Sequence, residues 1–120
     1  MNSVSKFIKE MALGQEGAVT LVRVPTIIEQ VKAGLMDAYP VKVKLHVSGY
    51  QPDGCRVPVQ IEQWRQGRKL VVQIYREFDV DEVCPANIVP FETGITLGGA
   101  DFASGDYTVV VNDYVLNLTL

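Results

Sequence analysis

A chain of 120 residues with a formal net charge of −3 has room for one hydrophobic core and not two, because either half alone would bury too little surface. Lys and Arg stand singly among Asp and Glu, so no basic stripe is available to neutralise a run of phosphates, and nucleic acid is not an expected partner. At 48% hydrophobic residues the chain is too apolar to stay disordered, yet no stretch reaches the roughly 20 apolar residues that cross a bilayer as a helix.

In chain order, Val4, Phe7, Ile8 and Met11 share one helical face, with Ser3 or Ser5 as N-cap and Gly14 past the end. A short helix is expected there, residues 1–17 being helix and linker and residues 18–120 the main domain. Met1 to Lys9 lack the unbroken apolar core of a signal peptide. The protein is therefore expected either to be cytoplasmic or to have lost a signal. Ala18 to Val24 is a β-rich run ended by Pro25.

Residues 26–36 support two readings. Thr26 with Glu29 forms a capping box, and Ile27, Ile28, Val31 and Leu35 have helical spacing. Gly34 in the interior and the alternation Val31, Ala33, Leu35 suit a half-buried strand instead. From Pro40 the period is 2: Val41, Val43, Leu45 and Val47 alternate with Lys42, Lys44, His46 and Ser48, so one face is aliphatic and the other polar. A turn-rich stretch, Gly49 to Gly54, then leads to Cys55.

Residues 56–76 read as a hairpin. A turn at Gln66-Gly67 sets Arg65 against Arg68, Ile61 against Val72 and Val59 against Ile74, with Gln60–Gln73 and Arg56–Glu77 on the polar face. Ile88 to Leu97 supplies another strand, and residues 98–106 a glycine-rich loop. In the last segment a turn at Asn112-Asp113 pairs Val111 with Tyr114, Val109 with Leu116, Tyr107 with Leu118 and Thr108 with Asn117. About seven short strands separated by turn signals make the chain all-β, a sandwich or barrel.

Two cysteines in a small domain are compatible with one bridge in an oxidising compartment or with two buried thiols. There is no C-x-x-C, no second histidine and no basic cluster to lower a thiol pKa, so a structural Cys55–Cys84 disulfide is expected rather than a catalytic or metal-binding pair. The hairpin register supports it by placing residue 55 beside residue 78, six residues before Cys84.

Ser48-Gly49-Tyr50-Gln51-Pro52-Asp53-Gly54-Cys55, then Cys84, Val89-Pro90-Phe91-Glu92 and Gly105-Asp106-Tyr107-Thr108-Val109-Val110-Val111-Asn112 resemble a family of uncharacterised exported bacterial domains, often found in lipoproteins and expected to be immunoglobulin-like. The likeness covers about residues 26–120. It implies an immunoglobulin-like antiparallel β-sandwich, export, and a strand over 26–36. Ala33-Gly34 departs from the pattern, so the end of that strand is expected to be irregular.

No residue set is expected to be catalytic. His46, the sole histidine, takes an outward strand position with no nucleophile at a suggestive spacing. Asp79, Asp81 and Glu82 offer hard oxygen ligands but lack the turn glycine of a calcium loop, so they read as a solvated acidic loop. Trp64, on the polar face of its hairpin, could mark a contact surface but reads rather as covering a sheet edge or packing on the N-terminal helix. No cofactor and no metal are expected. Loop 49–55, segment 78–88 and turn 112–113 are expected at one end of the sandwich, which puts the binding residues at Tyr50, Gln51, Pro52, Asp53, Asn112 and Asp113. The expected function is a non-enzymatic exported binding or structural module of the bacterial cell envelope with a protein partner; the alternative is a proteinase inhibitor acting through the same loops.

Overall fold

The computed structural model describes residues 19–36, 42–97 and 102–120; the expected helix over residues 4–13 lies outside them. Eight strands occur among the described residues: β1 (Leu21–Pro25), β2 (Ile27–Met36), β3 (Lys42–Gln51), β4 (Gln60–Gln66), β5 (Lys69–Asp79), β6 (Val89–Thr96), β7 (Asp106–Val111) and β8 (Tyr114–Thr119). They form a β-sandwich of a three-stranded sheet, ordered β2-β3-β6, and a five-stranded sheet built around β5. The all-β sandwich read from the sequence is the fold.

The period-2 pattern is realised in β3, whose Val43, Leu45 and Val47 are fully buried. Across the interface they meet Leu70, Val72 and Ile74 of β5 and Val109 and Val111 of β7 in one cluster. The aliphatic faces thus drive the two sheets together, each buried methylene contributing about 0.8 kcal/mol.

Residues 26–36 form a strand. The ladder between β2 and β3 shifts between Ile28 and Gln30, so Glu29 is an extra residue, a β-bulge. It lets Ile28 and Val31, three apart, both reach the core; the spacing that mimics a helix is the signature of the bulge. The irregularity is here and not at Ala33-Gly34, which pair in register with Leu45 and Lys44. Gly49, opposite Ile28, is required by the same feature, because a Cβ there would run into the Ile27 carbonyl. Gly49, Tyr50 and Gln51 therefore extend β3 instead of starting a turn.

The β4–β5 hairpin turns at Gly67-Arg68, with Gln66 opposite Lys69 and Ile61 opposite Ile74. This is two residues from the expected register. Gly67 has φ of 60°, which suits the first central position of a two-residue turn and draws the turn forward. Because the shift is even, every side chain keeps its expected face. The pairing stops at Gln60, so Val59 and Arg56 have no strand partner and Glu77 pairs with Arg23 at 3.2 Å instead. The hairpin at Asn112-Asp113 forms with the expected register, residue for residue.

One pairing departs from an antiparallel sandwich: β7 runs parallel to β5. The chain crosses to the other sheet for β6 and returns for β7, and two reversals restore the direction. β7 and β1 lie end to end on the same edge of β5, since Asn112 N donates to the Val72 carbonyl and Thr26 N to the Ile74 carbonyl. Asn112 fills the junction. Its Nδ2 donates to the carbonyls of Thr26 (2.7 Å) and Ile74 (2.9 Å), and its Oδ1 accepts from Ile74 N at 2.8 Å, so the side-chain amide stands in for a peptide unit. Asn112→Ala should cost about 2 kcal/mol in urea unfolding, from orphaned backbone groups and from a φ of 55° that alanine resists. Asn112→Gly should cost less, and equal losses would show that the backbone angle is immaterial.

Candidate functional site

The end of the sandwich beyond β3 and β5 is built around a buried charge. β5 alternates Leu70, Val72, Ile74 and Arg76 toward the core, so Arg76 enters it with only 1% of its surface exposed. A buried guanidinium must be paired. Asp53, two residues past the end of β3, turns the chain by accepting from Cys55 N at 2.9 Å. Its carboxylate then takes Arg76 bidentately, Nη1 to Oδ1 and Nη2 to Oδ2, both at 2.9 Å. Arg76 Nη1 also donates to the Cys55 carbonyl at 2.8 Å. The Arg76 guanidinium holds the Asp53 carboxyl below its usual range against its partial burial, and the Cys55 N–H adds to the effect.

Cys55 is bridged to Cys84, with Cα atoms 4.7 Å apart, and Gly54 N donates to the Pro85 carbonyl at 2.8 Å. Loop 52–55 and the segment before β6 are thus one unit. Asp53, Cys55 and Cys84 group their ligand atoms within 4.8 Å, but the sulfurs are bonded to each other and the carboxylate is held by Arg76, so the trio has no free donor set for a metal.

Two buried donors here have no acceptor among the described residues: Gln51 Nε2 and Arg76 Nε. Gln51 Oε1 accepts from the Thr26 hydroxyl at 2.9 Å. Both side chains line a cleft of about 410 Å³ whose walls include Val57, Val59, Pro90 and Phe91.

The other sequence-derived positions are distributed as follows. Tyr50 is half-buried on the outer face of the three-stranded sheet between Ile27 and Pro90, and Pro52 is exposed. Loop 49–55 and segment 78–88 do meet. Turn 112–113 does not join them, because β7 ends level with Val72 and the turn stops against Thr26 and Ile74. Asn112 is occupied structurally there, and with Asp113 it lines a separate cavity of about 530 Å³ beside Ile27 and Tyr75. His46 is exposed in a polar groove with Lys32, Lys44 and Glu92, and Trp64 lies on exposed β4. The Asp79 carboxylate accepts from Asp81 N at 2.9 Å, closing a turn.

Arg76 is the residue that sequence reasoning missed. The signal was available, since the β5 alternation puts a charge on the aliphatic face, where it demands a partner.

A family model described as ORF11 beta-sandwich domain matches residues 45–120. Two curated relatives come from Herpetosiphon aurantiacus. An "Uncharacterized 10.2 kDa protein in HgiCIIM 5'region" is 29% identical over 94 residues, covering 78% of this chain and 99% of the relative. An "Uncharacterized 10.2 kDa protein in HgiEIM 5'region" is 30% identical over 81 residues, covering 68% and 98%. No solved structure matches. Among the described residues no helix is long and apolar enough to cross a membrane.

Proposed function

This chain belongs to the ORF11 β-sandwich domain family, and on that footing we propose that it is a non-enzymatic, immunoglobulin-like binding module of an exported bacterial envelope protein, with its contact surface at the disulfide end. One observation carries the reading: the Cys55–Cys84 bridge and the Asp53–Arg76 pair hold loop 52–55 and the segment before β6 rigidly together. Rigid loops lose less entropy when a partner docks, and a disulfide is at home in an oxidising compartment. Tyr50, Gln51, Pro52 and Asp53 belong to this end; Asn112 and Asp113 form a second, lateral contact.

Thiol trapping in intact cells tests the compartment. Protein that takes up no alkylating agent before reduction supports export, whereas two alkylated thiols per chain would exclude it. For binding, a protein retained from the envelope fraction by the wild-type domain should lose about 1–3 kcal/mol of affinity with Tyr50→Ala and none with Thr108→Ala. Equal retention by both variants would remove Tyr50 from the surface.

A second reading has its own observation. Val83 is 92% exposed beside bridged Cys84, a stapled, protruding apolar side chain of the kind that fills a protease pocket. Inhibition of serine or cysteine proteases that is lost in Val83→Asp would favour a proteinase inhibitor.

A further inference from the structure

The strands at the edges of the two sheets are not alike. β2 carries Lys32 and the bulge at Glu29, β4 carries Glu62 and Arg65, and β1 carries Arg23 and ends on Pro25. β6 carries Pro90 and Glu92, and Gln63 Nε2 donates to its Thr96 carbonyl at 3.2 Å. Charges, prolines and bulges are the devices by which edge strands refuse further pairing. β8, at the end of its sheet, has none of them. Tyr114–Thr119 holds no charged residue, proline or glycine, and its ladder with β7 runs without a register shift.

Half of the β8 backbone is unpaired. Leu120 N donates to the Gly105 carbonyl and Gly105 N to the Leu120 carbonyl, so by alternation Tyr114, Leu116 and Leu118 also turn their N–H and C=O groups to β7, while those of Val115, Asn117 and Thr119 point away. Among the described residues no backbone group reaches these three from outside the ladder. The core is open on the same side. Tyr107, Val109 and Val111 of β7 are buried, whereas Tyr114, Leu116, Leu118 and Leu120, one strand further out, are only partly covered. Leu35, in step with buried Val31 on β2 across from β8, is 57% exposed, and Val115 is 61% exposed.

A strand that completes this side has to be uncharged, regular and apolar on its inward face. β8 itself meets that description. Set antiparallel to a second copy about a two-fold axis at Asn117, it pairs its Val115 with Thr119 of the copy, its Leu116 with Leu118 and its Tyr114 with Leu120. Unpaired backbone groups then meet unpaired backbone groups, and the half-covered inward side chains of one copy meet those of the other. No like charges oppose the approach, as they would along β2 or β4. We propose that two copies of this chain join through β8, running their five-stranded sheets into one sheet across an isologous two-fold interface.

Light scattering during size exclusion of the full, oxidised chain should give twice the chain mass of 13.3 kDa; a single chain at every loading overturns the proposal. Asn117→Lys changes an exposed side chain but sets two ammonium groups opposite each other at the axis. It should weaken the dimer about tenfold and leave the circular dichroism of the fold unchanged. Asn117→Asp should act in the same way, and mixing the two variants should restore the dimer, because the facing charges then attract. A dimer that survives Asn117→Lys undiminished, or a mixture that stays monomeric, puts the axis elsewhere and the proposal fails. Amide exchange distinguishes a second copy from a cover supplied by the same chain. The Val115 and Thr119 amides should exchange slowly in the wild-type dimer and fast in monomeric Asn117→Lys. Slow exchange in that monomer would mean that the edge is closed within one chain, and the proposal is lost.

Discussion

Asp53→Ala should destabilise the domain by about 3–5 kcal/mol, the cost of stranding a buried charge, although Asp53 itself is only partly buried. The loss lies in Arg76, whose side chain is 2% exposed and cannot reach water without opening the end of the sandwich. Asp53→Ala combined with Arg76→Met should recover much of the stability, because the double variant leaves no buried charge; urea midpoints for the four proteins give the coupling. Additive losses would show that the pair is not a unit. The pH dependence follows from the sign of the shift. Arg76 lowers the folded-state pKa of Asp53, so the stabilisation is fully present above the unfolded value of about 3.9 and is lost as pH falls through the folded value. Below about pH 4 the wild type should therefore lose stability more steeply than Asp53→Asn, which has no proton to take up at that position.

Reducing the Cys55–Cys84 bridge should cost about 3.5 kcal/mol in the chain-entropy treatment of a loop this long, the separation being 29 residues. Set against the 5–15 kcal/mol of net stability of a typical domain, this is a large share. Urea unfolding with and without a phosphine reductant, and of the Cys55→Ser/Cys84→Ser variant, measures it. An unchanged midpoint would mean that the Asp53–Arg76 pair and the Gly54–Pro85 hydrogen bond hold the loops unaided. The two perturbations act on one loop, so their combined effect should fall short of the sum.

Much of this was legible in the sequence because alternation is a direct report of which side a strand buries. Val43, Leu45 and Val47 announced the inner face of β3, and the Asn112-Asp113 turn announced the last hairpin to the residue. Where two readings compete, over residues 26–36, one residue disturbs the count. Glu29 adds a position to β2, and a strand with one extra residue shows the i, i+3 spacing of a helix over that stretch. The turn before β5 falls at Gly67-Arg68 and not at the expected Gln66-Gly67, a matter of which central position takes the positive φ. Arg76 has a partner that hairpin pairing does not reveal: Asp53 lies in the loop that closes the end between the sheets. The level at which turn 112–113 stops is not legible in the same way, because strand lengths, unlike strand faces, leave little mark on periodicity.

The junction at Asn112 also bears on the order in which the sheet assembles. Its side chain reaches Thr26 across 86 positions of sequence, so the junction at the end of β1 is completed only when β7 lies beside β5. Non-local closures of this kind slow folding. The β7–β8 hairpin can form early from neighbouring residues, but it gains its place on β5 only after the excursion through β6. The strand nearest the beginning of the described chain has its own ladder with β5, but the closure of the gap beside it depends on a residue near the other end.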